Sequence, residues 1–445
     1  MEKKPEIVQR AKQSGANSDA EKKPGVWTAR MLEHLEANPQ GVWFSLIDKV
    51  YRKENLREAF EAVKKNGGAA GVDHVNIEEF EKHINSELDK ISATLANQTY
   101  RPQAVRRVHI PKNDGGKRPL GIPTIRDRTV QGAVRQVLEP IYEKQFKACS
   151  YGFRPGIGCK DALREVQRLL DEGNLVVLDA DIKGFFDNID HEILIELVSK
   201  RVADGRVLVL IEQFLQQEIQ EAGKGLQEPK HGTPQGGVIS PLLANVYLHE
   251  LDVAMSNHYQ IIRYADDSVV LCKTVAEAEA ALTALRETLS ALKLELHPNK
   301  TRIVNMQGDG EQFEFLGYRF KSKDGKTKRY PRDKSVDKLK SRIRQLTPRR
   351  SGRSLKEVIA RVNMSTKGWF EYFKHSSKYA FEAIDKFIRR RLRAMLARFN
   401  KRRAGRMAVG QGLAHYKWLN SFFTEHELFN LTAAHAEARR QSARR

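Results

Sequence analysis

Residues Ile261–Leu271 read Ile-Ile-Arg-Tyr-Ala-Asp-Asp-Ser-Val-Val-Leu, and this stretch decides the fold. Apolar residues on both sides of Tyr264-Ala265-Asp266-Asp267 predict two short buried strands joined by a tight turn. The two adjacent carboxylates repel each other and lose hydration at the end of a buried hairpin. A fold that keeps them there usually supplies a cation, and Mg²⁺ is the first candidate. The alternative is a solvated Asp-Asp turn. The metal-binding interpretation therefore requires partners for these two carboxylates elsewhere in the chain.

An upstream strand carries a further carboxylate. The apolar run Leu175–Ala180 predicts a buried strand that delivers Asp181 at its end. Two metal ions about 3.5–4 Å apart need carboxylates from more than one strand. Asp181 and Asp266 meet this need if their strands lie side by side. The register of the strand end makes Asp179 and Asp187 weaker candidates.

Length and composition set the class of protein. A chain of 445 residues is long enough for two or three domains. Its mean hydropathy of −0.56 and its lack of a long uncharged apolar run argue against a membrane protein, and the first 24 residues lack the apolar core of a secretory signal. Cys149, Cys159 and Cys272 form no Cys-x-x-Cys pair, which excludes a disulfide scaffold and a four-cysteine zinc module. We therefore expect a cytoplasmic protein without a membrane partner.

The positive charge is concentrated at one end of the chain. The net charge is +21. Residues 319–445 carry 35 Lys and Arg against 10 Asp and Glu, whereas residues 1–318 carry 42 against 46. A near-neutral region (1–318) joined to a strongly basic region (319–445) indicates that the protein acts on a polyanion. The basic region would bind the polyanion, and the near-neutral region would carry out the chemistry. Charge kept only for solubility would be spread more evenly.

A basic hairpin is predicted between Val105 and Pro123. Alternating apolar residues lead into Asn113–Gly116, whose composition is typical of a hairpin turn. One arm carries Lys112 and the other carries Lys117 and Arg118. Such a tip could clamp a triphosphate, because arginine forks onto two oxygens. Basic residues on an exposed hairpin are more often only solvated, and these residues alone favour that interpretation.

A series of short motifs follows in a fixed order between Leu46 and Phe399. They are Asp181-Ile182-Lys183-Gly184-Phe185-Phe186-Asp187, Gly232-Thr233-Pro234-Gln235-Gly236-Gly237 with Val238–Asn245, Tyr264-Ala265-Asp266-Asp267, His297–Thr301 and Phe315–Tyr318. Each string is modestly specific, but their ordered combination leaves little room for chance. In this combination the chain resembles the reverse transcriptase-maturase proteins encoded within bacterial group II introns.

The resemblance implies an α+β fold of the right-hand polymerase type. Fingers and a palm with an antiparallel sheet would be followed by an α-helical thumb, or maturase, domain. The implied domains are an N-terminal extension (1–40), fingers (41–174), palm (175–318), a basic linker or hairpin (319–335), the thumb (336–401) and a basic C-terminal tail (402–445). The tail is either a nucleic-acid-binding segment or a helix packed on the thumb.

The resemblance also implies the catalytic residues and the cofactor. It implies RNA-directed DNA polymerisation with two Mg²⁺ ions, for which Mn²⁺ is a possible substitute. Asp181, Asp266 and Asp267 would be catalytic and would hold the ions, together with the backbone carbonyl of Ile182. One ion would lower the pKa of the primer 3′-hydroxyl and the other would neutralise the departing pyrophosphate.

The implied nucleotide site involves four residues. Lys112 and Arg118 match the positions that grip the incoming dNTP, which reverses the interpretation of the hairpin taken alone. Phe186, five residues after Asp181, matches an aromatic gate that leaves no volume for a 2′-hydroxyl. Gln235 would lie near the template base or the nucleotide.

The C-terminal region is predicted to bind nucleic acid. Apolar periodicity predicts three amphipathic helices, over 336–346, 355–373 and 381–399. In the resemblance these form the thumb, whose arginines would follow the phosphates of the template-primer duplex and of structured RNA. The residues expected to bind nucleic acid are Lys300, Arg389, Arg390 and Arg393.

The implied partners are an RNA template with a DNA primer, dNTPs, group II intron RNA and target DNA, in the bacterial cytoplasm or at the nucleoid. Many relatives carry a zinc-supported endonuclease, which neither the length nor the cysteines of this chain allow. Two alternatives remain open: a domesticated reverse transcriptase in phage defence, DNA repair or diversity generation, and an RNA-binding splicing factor without polymerase activity. The intact Asp181, Asp266, Asp267 and Phe186 weigh against the second.

Overall fold

The chain folds into two compact units that interleave along the sequence. In this computed structural model the described residues are 26–111, 116–229, 231–348, 352–403 and 413–443. The first unit combines the chain up to Phe146 with Phe186–Tyr247, and the second combines Lys147–Phe185 with the chain from Leu248 onward. The expected boundary between fingers and palm, at 174/175, falls inside the second unit.

The helices and strands of the described residues are named here in chain order. The helices are α1 (Ala29–Ala37), α2 (Ile47–Val50), α3 (Lys53–Asn66), α4 (Ile77–Lys82), α5 (Ile84–Ala96), α6 (Ile125–Glu143), α7 (Cys159–Asp171), α8 (Phe185–Asn188), α9 (His191–Ser199), α10 (Gly205–Leu215), α11 (Ser240–Ser256), α12 (Val275–Ala291), α13 (Asp333–Leu346), α14 (Leu355–Phe373), α15 (Tyr379–Arg403), α16 (Leu413–Lys417), α17 (Asn420–Glu425) and α18 (Leu431–Ala443). The strands are β1 (Val105–Pro111), β2 (Lys117–Ile122), β3 (Val176–Asp181), β4 (Ile219–Glu221), β5 (Leu226–Gln227), β6 (Gln260–Tyr264), β7 (Asp267–Cys272), β8 (Arg302–Asn305), β9 (Gln312–Phe315), β10 (Tyr318–Lys323) and β11 (Lys326–Pro331).

The first unit combines a group of helices with a small sheet of strand order β2-β1-β4-β5. Strands β1 and β2 pair antiparallel, with Pro111 opposite Lys117, which confirms the predicted basic hairpin. Helix α6 packs against α3, and its apolar face is buried at Val130, Val134 and Val137. Only two residues separate the end of β2 from the start of α6, so this core anchors that arm of the hairpin.

The second unit contains a four-stranded antiparallel sheet with the order β6-β7-β3-β8. Strand β3 is therefore an interior strand, which explains why four of its six residues are apolar and buried. Helix α7 packs against β6 and β7, and helix α12 packs against β3, β7 and β8. The mixed helices and antiparallel sheet agree with the expected α+β class.

Residues 319–335 form an ordered hairpin and the start of α13, and they are not a linker. Strand β10 pairs with both β9 and β11. Asp324 and Gly325 connect β10 to β11 with φ angles of 55° and 66°, as a tight hairpin turn requires. The rings of Phe313 and Phe320 stack with centroids 4.8 Å apart. The apolar side of this small sheet joins the core of the second unit.

The three predicted thumb helices correspond to α13, α14 and α15, and they share one apolar core. The segment 413–443 packs into the same core through Trp418, Phe423 and Leu431. The carboxylate of Asp385 in α15 accepts hydrogen bonds from the backbone N–H of Leu431 and of Thr432, at 3.1 and 3.0 Å. Of the two alternatives for the C-terminal tail, helix packing holds for this segment. Within the described ranges no helix is long and apolar enough to cross a membrane.

Candidate active site

The predicted hairpin is present and carries a carboxylate at its tip. In the β6–β7 pair, Tyr264 lies opposite Asp267, so Ala265 and Asp266 form a two-residue turn. Ala265 has a φ of 56°, in the left-handed region that such turns require at one or both central positions. Asp266 is half-buried in this turn, and Asp267, which is exposed, begins β7. The prediction of two strands joined by a tight turn is confirmed.

The strand of Asp181 lies beside this hairpin, as expected. In the antiparallel register of β3 and β7, Asp181 lies directly opposite Asp267. Residues opposite each other in such a pair share one face, with Cβ atoms about 4.5–5.5 Å apart. The next residue, Ile182, forms an isolated bridge with Leu296. The structure therefore brings Asp181, Asp266 and Asp267 together from two separate parts of the sequence.

Negative charge is concentrated at this end of the sheet. Loss of hydration, followed by repulsion from Asp266, Asp181 and Asp179, raises the pKa of Asp267 to about 6. Burial likewise raises the pKa of Asp179 to about 6, although Arg302 opposes the shift. A carboxylate that resists ionisation beside other carboxylates marks a place where a cation would be stabilised.

Lys300 supplies positive charge to the same site. Its Nζ lies 3.1 Å from Oδ1 and 3.0 Å from Oδ2 of Asp181. The sequence predicted a contact of Lys300 with nucleic acid, and the structure pairs Lys300 with Asp181, one of the predicted metal ligands. Asp179 is paired differently, with Nε of Arg302 on β8 at 3.5 Å.

The residues present suit a divalent cation by their chemistry. Carboxylate oxygens are the hard ligands that Mg²⁺ prefers, and Asp181, Asp266 and Asp267 supply them on two adjacent strands and the turn between β6 and β7. In the portion of the chain that the structure describes, no three His, Cys, Asp or Glu side chains already surround a common point closely enough to hold an ion. The ammonium of Lys300 now provides part of the compensation that an ion would give.

The first unit holds the predicted nucleotide residues in a hydrogen-bonded chain. Nε of Arg118 donates to Oε1 of Gln235 at 3.0 Å, and Nε2 of Gln235 donates to Oδ1 of Asp187 at 3.2 Å. These two hydrogen bonds thus connect the basic hairpin to the segment that follows Phe186. Asp187, which the sequence made a weaker candidate for binding metal, accepts this hydrogen bond and so orients the amide of Gln235. Lys112 lies outside the described residues.

The glycine-containing loop around Gln235 is clamped on two sides. The N–H of Thr233 donates to the carbonyl of Phe186, and the N–H of Gly121 donates to the carbonyl of Gln235, each at 2.8 Å. A Cβ on Gly236 would collide with the carbonyl oxygen of Gly121, and its φ is 125°. Glycine is therefore required where the loop crosses β2.

Phe186 lines a cavity of about 400 Å³ in the first unit. Pro119, Gly121 and Gln235 line the same cavity, and the ring of Phe186 is half-buried. The predicted gate residue and the predicted nucleotide residue therefore border one space.

The arginines of α15 have unequal surroundings. Arg390 is exposed and Arg389 is half-buried. Arg393 is only 9% exposed, and its guanidinium donates to the carbonyl of Trp418 at 2.8 Å and to Oδ1 of Asn420 at 2.9 Å. The sequence predicted Arg393 to bind nucleic acid, but its donors face the C-terminal segment. These two hydrogen bonds tie α15 to that segment, and Arg389 and Arg390 remain the residues predicted to contact phosphates.

Arg263 was not predicted from the sequence, although it lies next to the turn that carries Asp266. Its side chain is 0% exposed and pairs with Asp252, which is also 0% exposed. The available signal was a charged residue inside an apolar strand, because fully buried arginines almost always have a charged partner. The identity of the partner, eleven residues earlier on helix α11, could not be read from the sequence.

Comparison with known proteins agrees with this geometry. The family "Reverse transcriptase (RNA-dependent DNA polymerase)" matches residues 110–320, and the family "Group II intron, maturase-specific domain" matches residues 336–410. Protein YkfC of Escherichia coli (strain K12) is 34% identical over 316 residues, which cover 62% of this chain and 82% of that protein.

Group II intron-encoded protein LtrA of Lactococcus lactis subsp. cremoris is 39% identical over 232 residues, which cover 51% of this chain and 38% of LtrA. Among solved structures, a chain of the "Partial Cas6-RT-Cas1--Cas2 complex" has a TM-score of 0.36 and 25% identity, covering 56% of this chain and 42% of that one. The two family matches occur in the order that the motifs predict, and most of the length of YkfC is covered. The chain belongs to the family of group II intron reverse transcriptases and maturases.

Proposed function

We propose that this chain synthesises DNA on an RNA template and that its helical region binds group II intron RNA, assisting the splicing and mobility of the intron. The observation that carries the proposal is the pairing of Asp181 with Asp267 beside Asp266, in a chain that belongs to this family. A protein that only binds RNA has no need for clustered carboxylates whose ionisation is disfavoured.

Asp181, Asp266 and Asp267 are the residues we propose to hold two Mg²⁺ ions, with the backbone carbonyl of Ile182 as a further oxygen. When bound, such ions acidify the primer 3′-hydroxyl and neutralise charge on the pyrophosphate. The contribution of the protein is to fix these oxygens on adjacent strands before the substrate arrives. Lys300 lowers the repulsion within this group through its contact with Asp181.

The residues of the first unit are proposed to bind and select the dNTP. Arg118 and Lys112 supply positive charge for the triphosphate. Gln235 bonds to both Arg118 and Asp187, which fixes the direction of its amide. Phe186 excludes a 2′-hydroxyl by its volume.

A primer-extension assay tests the polymerase activity. The purified full-length chain, given a DNA primer annealed to an RNA template, dNTPs and Mg²⁺, is expected to extend the primer. Removing the metal with EDTA should abolish extension, and adding Mg²⁺ or Mn²⁺ in excess should restore it, because the carboxylates alone supply no positive charge to the reaction. Extension that persists unchanged in EDTA contradicts the proposed metal dependence.

Arg389 and Arg390 are proposed to contact phosphates of intron RNA. Replacing both with Gln should weaken binding to a structured group II intron transcript and make the plot of log K against log salt shallower by about 1–2, since each phosphate contact contributes about 1. The measurement is a filter-binding titration at several salt concentrations. The matched control, Lys65→Gln with Lys82→Gln, removes equal charge from exposed positions of the first unit and should leave the slope unchanged. Equal effects of the two double variants would contradict a specific RNA-binding surface.

Target DNA is a further proposed partner, because mobility of an intron requires its copy to enter DNA. A bacterial cytoplasmic location with access to the nucleoid follows from these partners.

A further inference from the structure

A fully buried ion pair lies behind the catalytic hairpin. Arg263 of β6 and Asp252 of α11 are both 0% exposed. The guanidinium of Arg263 donates from Nε to Oδ1 of Asp252 at 2.6 Å and from Nη2 to Oδ2 at 2.5 Å. Two parallel hydrogen bonds fix the plane of the guanidinium as well as its position. Because desolvation offsets much of the attraction, a buried pair is weak evidence for a role in stability alone.

The same guanidinium holds the turn that carries Asp266. Nη1 of Arg263 donates to the backbone carbonyl of Ala265 at 2.9 Å, and Nη2 also donates to Oγ of Ser150 at 2.7 Å. Ala265 has a φ of 56°, which is unfavourable for a residue with a Cβ. Such a conformation persists where the surroundings impose it. Arg263 supplies one of the contacts that impose it, immediately before a proposed metal ligand.

A neighbouring segment supports the turn from the backbone side. The N–H of Arg263 donates to the carbonyl of Cys149, and the N–H of Tyr151 donates to the carbonyl of Arg263, each at 2.8 Å. A Cβ on Gly152 would collide with the backbone nitrogen of Ala265. Only glycine therefore allows this segment to reach the turn. Its two backbone hydrogen bonds would remain if the Arg263 side chain were replaced, so the contribution of the guanidinium can be measured separately.

We propose that Arg263 is a positioning residue for the metal site. Anchored by Asp252, it fixes the carbonyl of Ala265 and so the direction in which Asp266 presents its carboxylate. The inference rests on the proposed function, because it assigns Arg263 a task within that same site. Groups that orient metal ligands without touching the metal typically contribute about 10–100-fold in metal affinity or activity.

The test removes both charges together. In the double variant Arg263→Met with Asp252→Leu, no unpaired charge remains buried, and such paired replacements are often tolerated by the fold. Binding of Mn²⁺ to the full-length protein without nucleic acid is measured by electron paramagnetic resonance, and folding by circular dichroism. We expect the Mn²⁺ affinity to fall at least about tenfold. In primer extension, kcat should fall about 10–100-fold while KM for dNTPs stays nearly constant.

Two further variants distinguish the loss of metal-ligand positioning from a general loss of stability. Arg263→Lys keeps a positive charge beside Asp252 but lacks the fork that reaches Asp252 and the Ala265 carbonyl together, so it should also weaken Mn²⁺ binding. Asp385→Ala removes another buried carboxylate of the second unit, 3% exposed, that bonds to Leu431. It should lower the melting temperature without changing Mn²⁺ affinity.

The outcomes are distinct. Wild-type Mn²⁺ affinity and kcat in either folded Arg263 variant overturn the inference, and so does an equal loss of Mn²⁺ affinity in Asp385→Ala. Asp266→Asn, measured with Arg263 intact, tests the metal site itself. If that variant binds Mn²⁺ as the wild type does, the proposed metal site fails, and the positioning role fails with it. If only the Arg263 variants match the wild type, the metal site stands and the positioning role alone is wrong.

Discussion

Asp266→Asn is expected to reduce cDNA synthesis on an RNA template by about 1,000-fold or more, which corresponds to about 4 kcal/mol of transition-state stabilisation. Asparagine keeps the shape of the side chain at the hairpin tip but removes the negative charge that binds a divalent ion. The measurement is the single-turnover rate of primer extension at saturating dNTP and Mg²⁺. RNA affinity, measured by filter binding, should change less than about twofold because the basic surface is untouched.

The same variant should not lose stability. Asp266 raises the pKa of Asp267 by repulsion and raises the pKa of Arg263, whose burial opposes this, by attraction. Its removal therefore has opposing effects on the folded protein, and the melting temperature should stay close to that of the wild type. The matched control is Glu311→Gln, an exposed acid of the second unit outside the site, which should keep the wild-type rate. Near wild-type synthesis by Asp266→Asn would refute the assignment of the metal ligands.

Phe186→Val is expected to admit ribonucleotides. The ratio of kcat/KM for a dNTP to that for the corresponding ribonucleotide should fall by about 10–200-fold. This is the range of discrimination that an apolar pocket achieves between substrates that differ by one small group. Valine stays apolar but leaves room beside a cavity that Phe186 now borders. The measurement is single-nucleotide incorporation with matched dNTP and NTP concentrations.

The control for this prediction is Phe44→Val, because Phe44 is 73% exposed in the first unit and lies outside that cavity. It should leave the sugar preference of the enzyme unchanged. Unchanged discrimination in Phe186→Val, with normal dNTP incorporation, would remove the gate role from Phe186.

The sequence was sufficient to predict the centre of the second unit. Apolar strands with acids at their ends predicted that Asp181 and Asp266 would share a site if their strands lay side by side, because interior strands of a sheet show their burial in their composition. The order of the motifs predicted the family. The basic hairpin at residues 105–123 was also predicted, since its turn residues and alternating arms are local signals.

Other features depend on contacts between distant residues. The partner of Arg263 lies on another element, and nothing in the local sequence distinguishes Asp252 from a surface acid. Arg393 belongs to a run of arginines that looks uniformly solvated, yet one position of the helix faces Trp418. The hairpin β10–β11 was one of the two alternatives for the basic segment 319–335, and Asp324-Gly325 between alternating residues is the turn signal that favours it.

The strand order of the catalytic sheet has a consequence for synthesis on the ribosome. Strand β3 ends at residue 181, whereas its neighbours β7 and β8 end at residues 272 and 305. At about 5–20 residues per second, the nascent chain holds this apolar strand without either partner for roughly 5–18 s. Collapse of an apolar segment takes microseconds, so the emerging polypeptide must shelter β3 in temporary contacts or in a chaperone until translation delivers its permanent neighbours.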